Sequence, residues 1–131
     1  RARFGRLCIS PAAALGYHAR MSTVVISFDG EIEDFPVLIQ SIDSLIDGGT
    51  NRIVLDLDTL PFINSAALGY LIRVQKTLKE LAGQMVLSRV RPGLENVLAM
   101  TQLDTVFPTF ETTAEAVQHF GESEAVERDW R

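Results

Sequence analysis

Two sets of side chains in this sequence have the types and spacing to support chemistry. The first is a group of carboxylates placed after two apolar runs: Asp29, Glu31, Glu33 and Asp34 follow TVVISF, while Asp56 and Asp58 lie at the end of RIVLDLD. Mg²⁺ takes oxygen ligands, and acids gathered at strand ends can hold it beside a phosphorylatable aspartate. Loop acids next to helix starts have a plainer use as capping or solvated groups, because a helix N-terminus carries partial positive charge and unpaired N–H groups. The second is Ser65, the hydroxyl residue of LPFINSAALG, where an apolar run hands over to a helical pattern. The Asn64–Ser65 pair there reads as a helix N-cap, with either side chain satisfying an orphan N–H. The same position tolerates a phosphate, which would meet unpaired N–H groups and the positive end of the helix and would place nearly two negative charges on any docking surface.

Other catalytic sets are missing. No GxGxxG or GxxxxGK[ST] stretch presents backbone N–H groups to phosphates, and Ser65 does not sit in a GxSxG elbow. His18 and His119 are far apart in sequence, and the one cysteine, Cys8, can form neither an intramolecular disulfide nor a zinc cluster. We therefore expect no enzyme activity, no cofactor and no metal. A single cysteine fits a reducing cytoplasm.

The balance of 17 acidic against 12 basic side chains, net −5, argues against nucleic-acid binding through phosphate neutralisation. Four of the arginines (Arg1, Arg3, Arg6, Arg20) fall in the first 20 residues, which hold no acid, so residues 21–131 carry 8 basic against 17 acidic groups. A basic protein surface is the natural partner for so acidic a domain. No run of 18 apolar residues exists, so no membrane insertion is expected. Pro11 interrupts the short apolar patch Ala12–Leu15 and spoils a signal-peptide reading, while Met21 reads as a start residue. This divides the chain into an N-terminal extension, 1–20, that need not be native, a domain at 21–121, and a polar, frayed tail at 122–131 in which Trp130 is the only large apolar group.

The elements that must position these groups alternate. TVVISF (Thr23–Phe28) is a β-branched strand, and a turn at Asp29–Gly30 leads to a helix from Pro36 with Leu38, Ile39, Ile42, Leu45 and Ile46 on one face, closed by Gly48 and Gly49. RIVLDL (Arg52–Leu57) is the best candidate for a central parallel strand. From Ser65, Ala67, Leu71, Val74, Leu78 and Leu81 form a helical stripe that ends at Gly83. Gln84–Ser88 is a third strand, Pro92 opens a short helix, Thr105–Phe110 is a strand whose Pro108 favours a sheet edge, and Thr112–Phe120 is the last helix. Such alternation predicts an α/β domain with a small, mostly parallel sheet and about four α-helices.

Three stretches carry a family likeness: DGEIE (29–33), IVLDLDTLPFINSAALGYL (53–71) and GQMVLSRVRPGLENVLAMTQLDTVFPTFET (83–112). Together they resemble a STAS domain of the bacterial anti-sigma factor antagonist type, over about Thr23 to Phe120. The resemblance implies a small mixed sheet packed with helices. It also implies an antagonist that, unphosphorylated, binds an anti-sigma factor that is itself a serine kinase. Phosphorylation breaks that complex and a metal-dependent phosphatase restores it. By position the phosphorylated serine is Ser65. The implied docking surface comprises Gly30, Glu31, Asn64, Ser65, Ala66, Ala67 and Leu68. Many members have Ser-Ser-Gly or Ser-Thr-Gly where this chain has Ser65, Ala66 and Ala67, so one candidate phosphosite remains and an extra methyl at the helix start is expected to obstruct a kinase. A first edge strand of the family falls before Met21, where the segment reads poorly as a strand, so this edge is expected to be absent, irregular or built from Arg6–Ile9. Members also serve as non-phosphorylated binding subunits in transporter and stress-signalling assemblies, which is the alternative function.

Overall fold

The computed structural model describes residues 23–121, 125–128 and 130. Cys8, His18 and the possible edge strand at Arg6–Ile9 lie outside them. Five strands, β1 (Thr23–Ser27), β2 (Arg52–Asp56), β3 (Gln84–Ser88), β4 (Thr109–Phe110) and β5 (Ala125–Arg128), form one sheet in the order β4-β3-β2-β1-β5. Every ladder between them is parallel. The chain between successive strands carries α1 (Phe35–Asp47), α2 (Ser65–Glu80), α3 (Pro92–Met100) and α4 (Thr113–His119), with short 3₁₀ turns at Ile32–Asp34 and Leu103–Thr105. This is the expected α/β fold, with β2 in the centre as its uninterrupted apolar run requires.

The two-residue period of the strands sorts the core into two layers. Val24 and Ile26 of β1, Ile53 and Leu55 of β2, and Met85 and Leu87 of β3 face one side, where Leu38, Ile42, Leu71, Val74, Leu78, Leu94 and Leu98 of α1, α2 and α3 cover them. The alternate residues Val25, Val54 and Val86 face the other side and meet Ala116 and Val117 of α4, flanked by Phe110 and Phe120. Gln75 is a buried polar residue of α2. Its amide donates to the carbonyls of Met85 (3.0 Å) and Val106 (2.7 Å) and accepts from the Met85 N–H (2.7 Å), tying α2 to the sheet.

Two helix ends use their glycines differently from each other. Gly49 takes a left-handed φ of +104° after α1, as the sequence suggests. After α2 it is Ala82 that turns left-handed (φ +61°), while Gly83 is required by crowding: a Cβ there would fall 1.9 Å from the Asn51 carbonyl oxygen. That oxygen accepts from the Gln84 N–H at 2.9 Å, so the approach is set by the start of the β2–β3 pairing.

Two expectations are corrected. The strand foreseen at Thr105–Phe110 is confined to Thr109–Phe110, because Leu103–Thr105 form a 3₁₀ turn and Pro108 has no N–H; its carbonyl still accepts from the Leu87 N–H at 2.9 Å. The edge position is as expected. The frayed tail is likewise overturned where it is described: Ala125–Arg128 pair in register with Thr23–Ile26 of β1, and Trp130 is buried. A parallel partner for β1 satisfies backbone groups that an open edge would leave to water.

Candidate functional site

In a parallel sheet all strands point the same way, so the loops after β1, β2 and β3 emerge at one end, the usual place for a binding site in α/β folds. The loop after β2 begins Leu57–Asp58 and reaches α2 at Ser65. Leu60 and Ile63 anchor it in the core, leaving Pro61 and Phe62 outside. Phe62 is 55% exposed, unusual for so large an apolar side chain. Thr59 Oγ1 donates to the Phe28 carbonyl at 3.0 Å and links this loop to the one after β1. On its other side Gly93 of α3 packs against Pro61, a Cβ at that glycine falling 3.2 Å from the Pro61 carbonyl.

The junction divides its labour between two neighbours. Asn64 has an extended backbone (φ −99°, ψ 173°), and its Oδ1 accepts from the Ala67 N–H at 2.8 Å. It is therefore the N-cap. Ser65 is the first helical residue and is exposed, and its hydroxyl makes no hydrogen bond to a described residue. Of the two side chains that the sequence allowed to cap α2, only Asn64 does so.

Ala66 is exposed, Ala67 is buried at 2% and Leu68 is half-buried against the core. The methyl of Ala67 therefore points into the protein rather than onto the exposed face that carries Ser65. In the β1 loop Glu31 is exposed, and its N–H donates to Asp34 Oδ2 at 2.9 Å. Gly30 is half-buried; a Cβ there would lie 2.9 Å from the same Asp34 oxygen and closer still to the Trp130 ring. Gly30 and Glu31 thus share the carboxyl end of the sheet with Asn64 and Ser65.

The carboxylates do not gather. Among the described residues no three His, Cys, Asp or Glu side chains lie together as metal ligands. Asp56 is buried at 3% and is taken up by Arg89, whose Nε lies 3.2 and 3.1 Å from its two oxygens and whose Nη2 lies 2.5 Å from Oδ2. The Asp58 N–H and Ser27 Oγ complete its partners at 3.1 and 3.4 Å. Arg89 follows β3 in a left-handed conformation (φ +53°), and its Nη1 also stands 3.7 Å from Asp58. The hydrogen bond to Asp56, then the charge of Asp56, raise the pKa of this guanidinium, with Asp58 adding to the effect and burial opposing it. Arg91 adds a bond to the Asp58 carbonyl at 3.4 Å. Arg89 is thus the tie between the loops after β2 and β3. Nothing in the sequence marks it, since its partner lies 33 residues away.

Comparison with known proteins places this geometry. The family model for the STAS domain matches residues 18–116. A relative named a candidate anti-sigma factor antagonist, BtrV of Bordetella bronchiseptica, is 32% identical over 75 residues, 57% of this chain and 65% of that protein. The matched part thus spans just under two thirds of that relative's length. An anti-sigma factor antagonist (STAS) domain protein from Planctomyces limnophilus superposes with a TM-score of 0.65 at 27% identity, covering 75% of this chain and 90% of that one. The STAS domain of a SulP transporter from Vibrio cholerae shares the fold alone, with a TM-score of 0.61 at 12% identity over 91% of this chain and 94% of that one. Among the described residues no helix is long and apolar enough to cross a membrane. With an α/β sheet of parallel strands, a strand-to-helix junction at Asn64–Ser65 and a family match over most of its length, the chain belongs to the STAS domain family.

Proposed function

We infer that the chain is an anti-sigma factor antagonist acting as a partner switch. In its unphosphorylated form it binds an anti-sigma factor that is a serine kinase; phosphorylation of Ser65 by that kinase releases it, and a phosphatase resets it. The observation that carries the reading is the division of roles at the junction. Asn64 does the capping, so the Ser65 hydroxyl is exposed and uncommitted at the first position of α2. The relatives named as anti-sigma factor antagonists support the antagonist part of this reading.

The docking face consists of Gly30, Glu31, Asn64, Ser65, Ala66 and the exposed side of Leu68, with Ala67 beneath them. Exposed Asp29, Glu31 and Glu33 make the β1-loop side of this face acidic, suited to a basic partner surface. A phosphate on Ser65 sits at a helix N-terminus, which favours it by about 0.3–1 kcal/mol, so the modified protein stays folded. Release comes from the interface, where the added charge must be desolvated or meet repulsion. A penalty of about 3–4 kcal/mol weakens binding by two to three orders of magnitude.

The test compares wild type, Ser65→Ala and Ser65→Asp for binding to the anti-sigma factor, together with labelling by ATP. Acid-stable phosphoserine on wild type, none on Ser65→Ala, and weakened binding by Ser65→Asp are expected. Equal binding by the two variants refutes release through charge, and absence of label on wild type leaves the chain as a non-phosphorylated STAS binding module.

A further inference from the structure

The sole tryptophan of the chain stands behind the loop that carries Gly30 and Glu31. Trp130 is 5% exposed, and its indole Nε1 donates to Asp29 Oδ1 at 2.6 Å. The ring meets Phe28 edge-on at 4.8 Å, and the Trp130 carbonyl accepts from Ser41 Oγ of α1 at 2.7 Å. A Cβ on Gly30 would fall 2.8 Å from Cη2 and 2.9 Å from Cζ2 of the indole, so the loop backbone lies directly on the ring. The segment is held from the other side by β5, where Val126 and Arg128 pair with Val24 and Ile26.

We propose that Trp130 is a positioning residue, and that it acts with β5 (Ala125–Arg128) as a clasp that holds the Asp29–Glu31 loop in the shape that docks a partner. The docking role of that loop rests on the function inferred above. Glycine has the largest backbone freedom of any residue, and here it lies between two acids in a solvent-facing turn. The far end of the turn is fixed by the bond from the Glu31 N–H to Asp34. The near end is fixed by the bond to Asp29, a charged acceptor and so a strong one, and by the ring floor under Gly30. The C-terminal segment thereby acts on the docking face without contacting a partner and without involving Ser65.

The clasp is tested in the full chain without any partner. Hydrogen exchange of the Glu31 amide is followed in wild type, Trp130→Phe, Trp130→Ala and Asp29→Ala. Trp130→Phe keeps an aromatic ring and removes the donor; Asp29→Ala removes the acceptor from an exposed position and leaves the core intact. Exchange at Glu31 is expected to rise about tenfold in each variant that folds, while the amides of Ile53–Leu55 in β2 keep their protection. Combining Asp29→Ala with Trp130→Phe should add nothing further, since one bond is lost in either case. Gly30→Ala should shift the Trp130 emission to the red by pushing the ring toward water. The clasp is overturned if Glu31 exchange is unchanged in Asp29→Ala and Trp130→Phe, if loop and core amides accelerate together, or if Gly30→Ala leaves the emission as it was.

A second arm measures binding to the anti-sigma factor, where Trp130→Phe should weaken affinity about fivefold or more. Unchanged affinity beside a loosened loop overturns the docking role of the clasp. Equal binding by Ser65→Asp and Ser65→Ala refutes the phosphorylation switch while the exchange and emission results still decide the clasp.

Discussion

Arg89→Ala is the substitution whose consequences the structure defines best. The change removes the guanidinium contacts on Asp56 and leaves that carboxylate, 3% exposed, with only the Asp58 N–H and the Ser27 hydroxyl. Removing one partner of a buried ion pair costs about 3–5 kcal/mol, because the other charge stays desolvated. The Arg89 side chain is 46% exposed, so water enters the gap it leaves and the loss is reduced to about 2–3 kcal/mol. The left-handed backbone at Arg89 provides a control, since glycine relaxes that conformation: Arg89→Gly should be about 1 kcal/mol less damaging than Arg89→Ala. Adding Asp56→Asn to Arg89→Ala removes the stranded charge and should recover part of the loss. The guanidinium has its pKa raised in the fold, so its contribution is fully present below its ordinary value and fades only as pH rises through the higher folded one. The deficit should therefore be constant between about pH 6 and about pH 9. Urea unfolding measures it as a lowered midpoint at unchanged slope. A loss below about 0.5 kcal/mol would show that the pair is no more than a surface bridge and refute the reasoning.

Three further outcomes follow from single contacts. Asn64→Ala removes the cap of α2 and should cost about 1 kcal/mol by urea unfolding, whereas Asn64→Asp keeps the acceptor and adds a charge that the helix end favours. Gly83→Ala would force a methyl to 1.9 Å from a backbone oxygen, so a loss of about 3 kcal/mol or more is expected in thermal unfolding; a cost under about 1 kcal/mol would mean that the β2–β3 entry is looser than described. Gln75→Leu leaves the Met85 N–H buried without an acceptor and should cost about 2–3 kcal/mol, read in denaturation together with faster exchange of that amide.

Most of the scaffold could be read from local pattern. The β-branched runs at Thr23–Ser27 and Arg52–Asp56 became strands, and the stripe expected from Ala67 to Leu81 became the buried face of α2 as far as Leu78, Leu81 being its exposed C-cap, because each encodes its own period and burial. Pro108 placed β4 at an edge because a missing N–H is a property of one residue. The junction at Asn64–Ser65 was likewise found, but the sequence could not say which side chain caps. Backbone dihedrals at Asn64 settle that, and they leave Ser65 exposed. Nor does a three-residue motif state which positions of the first helical turn face inward, as Ala67 does.

The C-terminal segment shows where local reading stops. Four mixed residues and an isolated tryptophan have no pattern of their own, and they become a strand and a core residue only because β1 offers an edge and Phe28 a surface. The same holds for Arg89 and Asp56, which meet through the β2–β3 register. By itself the sequence determined the alternation of elements, the central strand, the acidic character of the domain and the helix start that carries Ser65, all of which follow from neighbours in the chain. Only the tertiary structure decided which loops share one end of the sheet, which acid is neutralised and what lies beneath Gly30, because those facts depend on residues brought together from 31 to 101 positions apart.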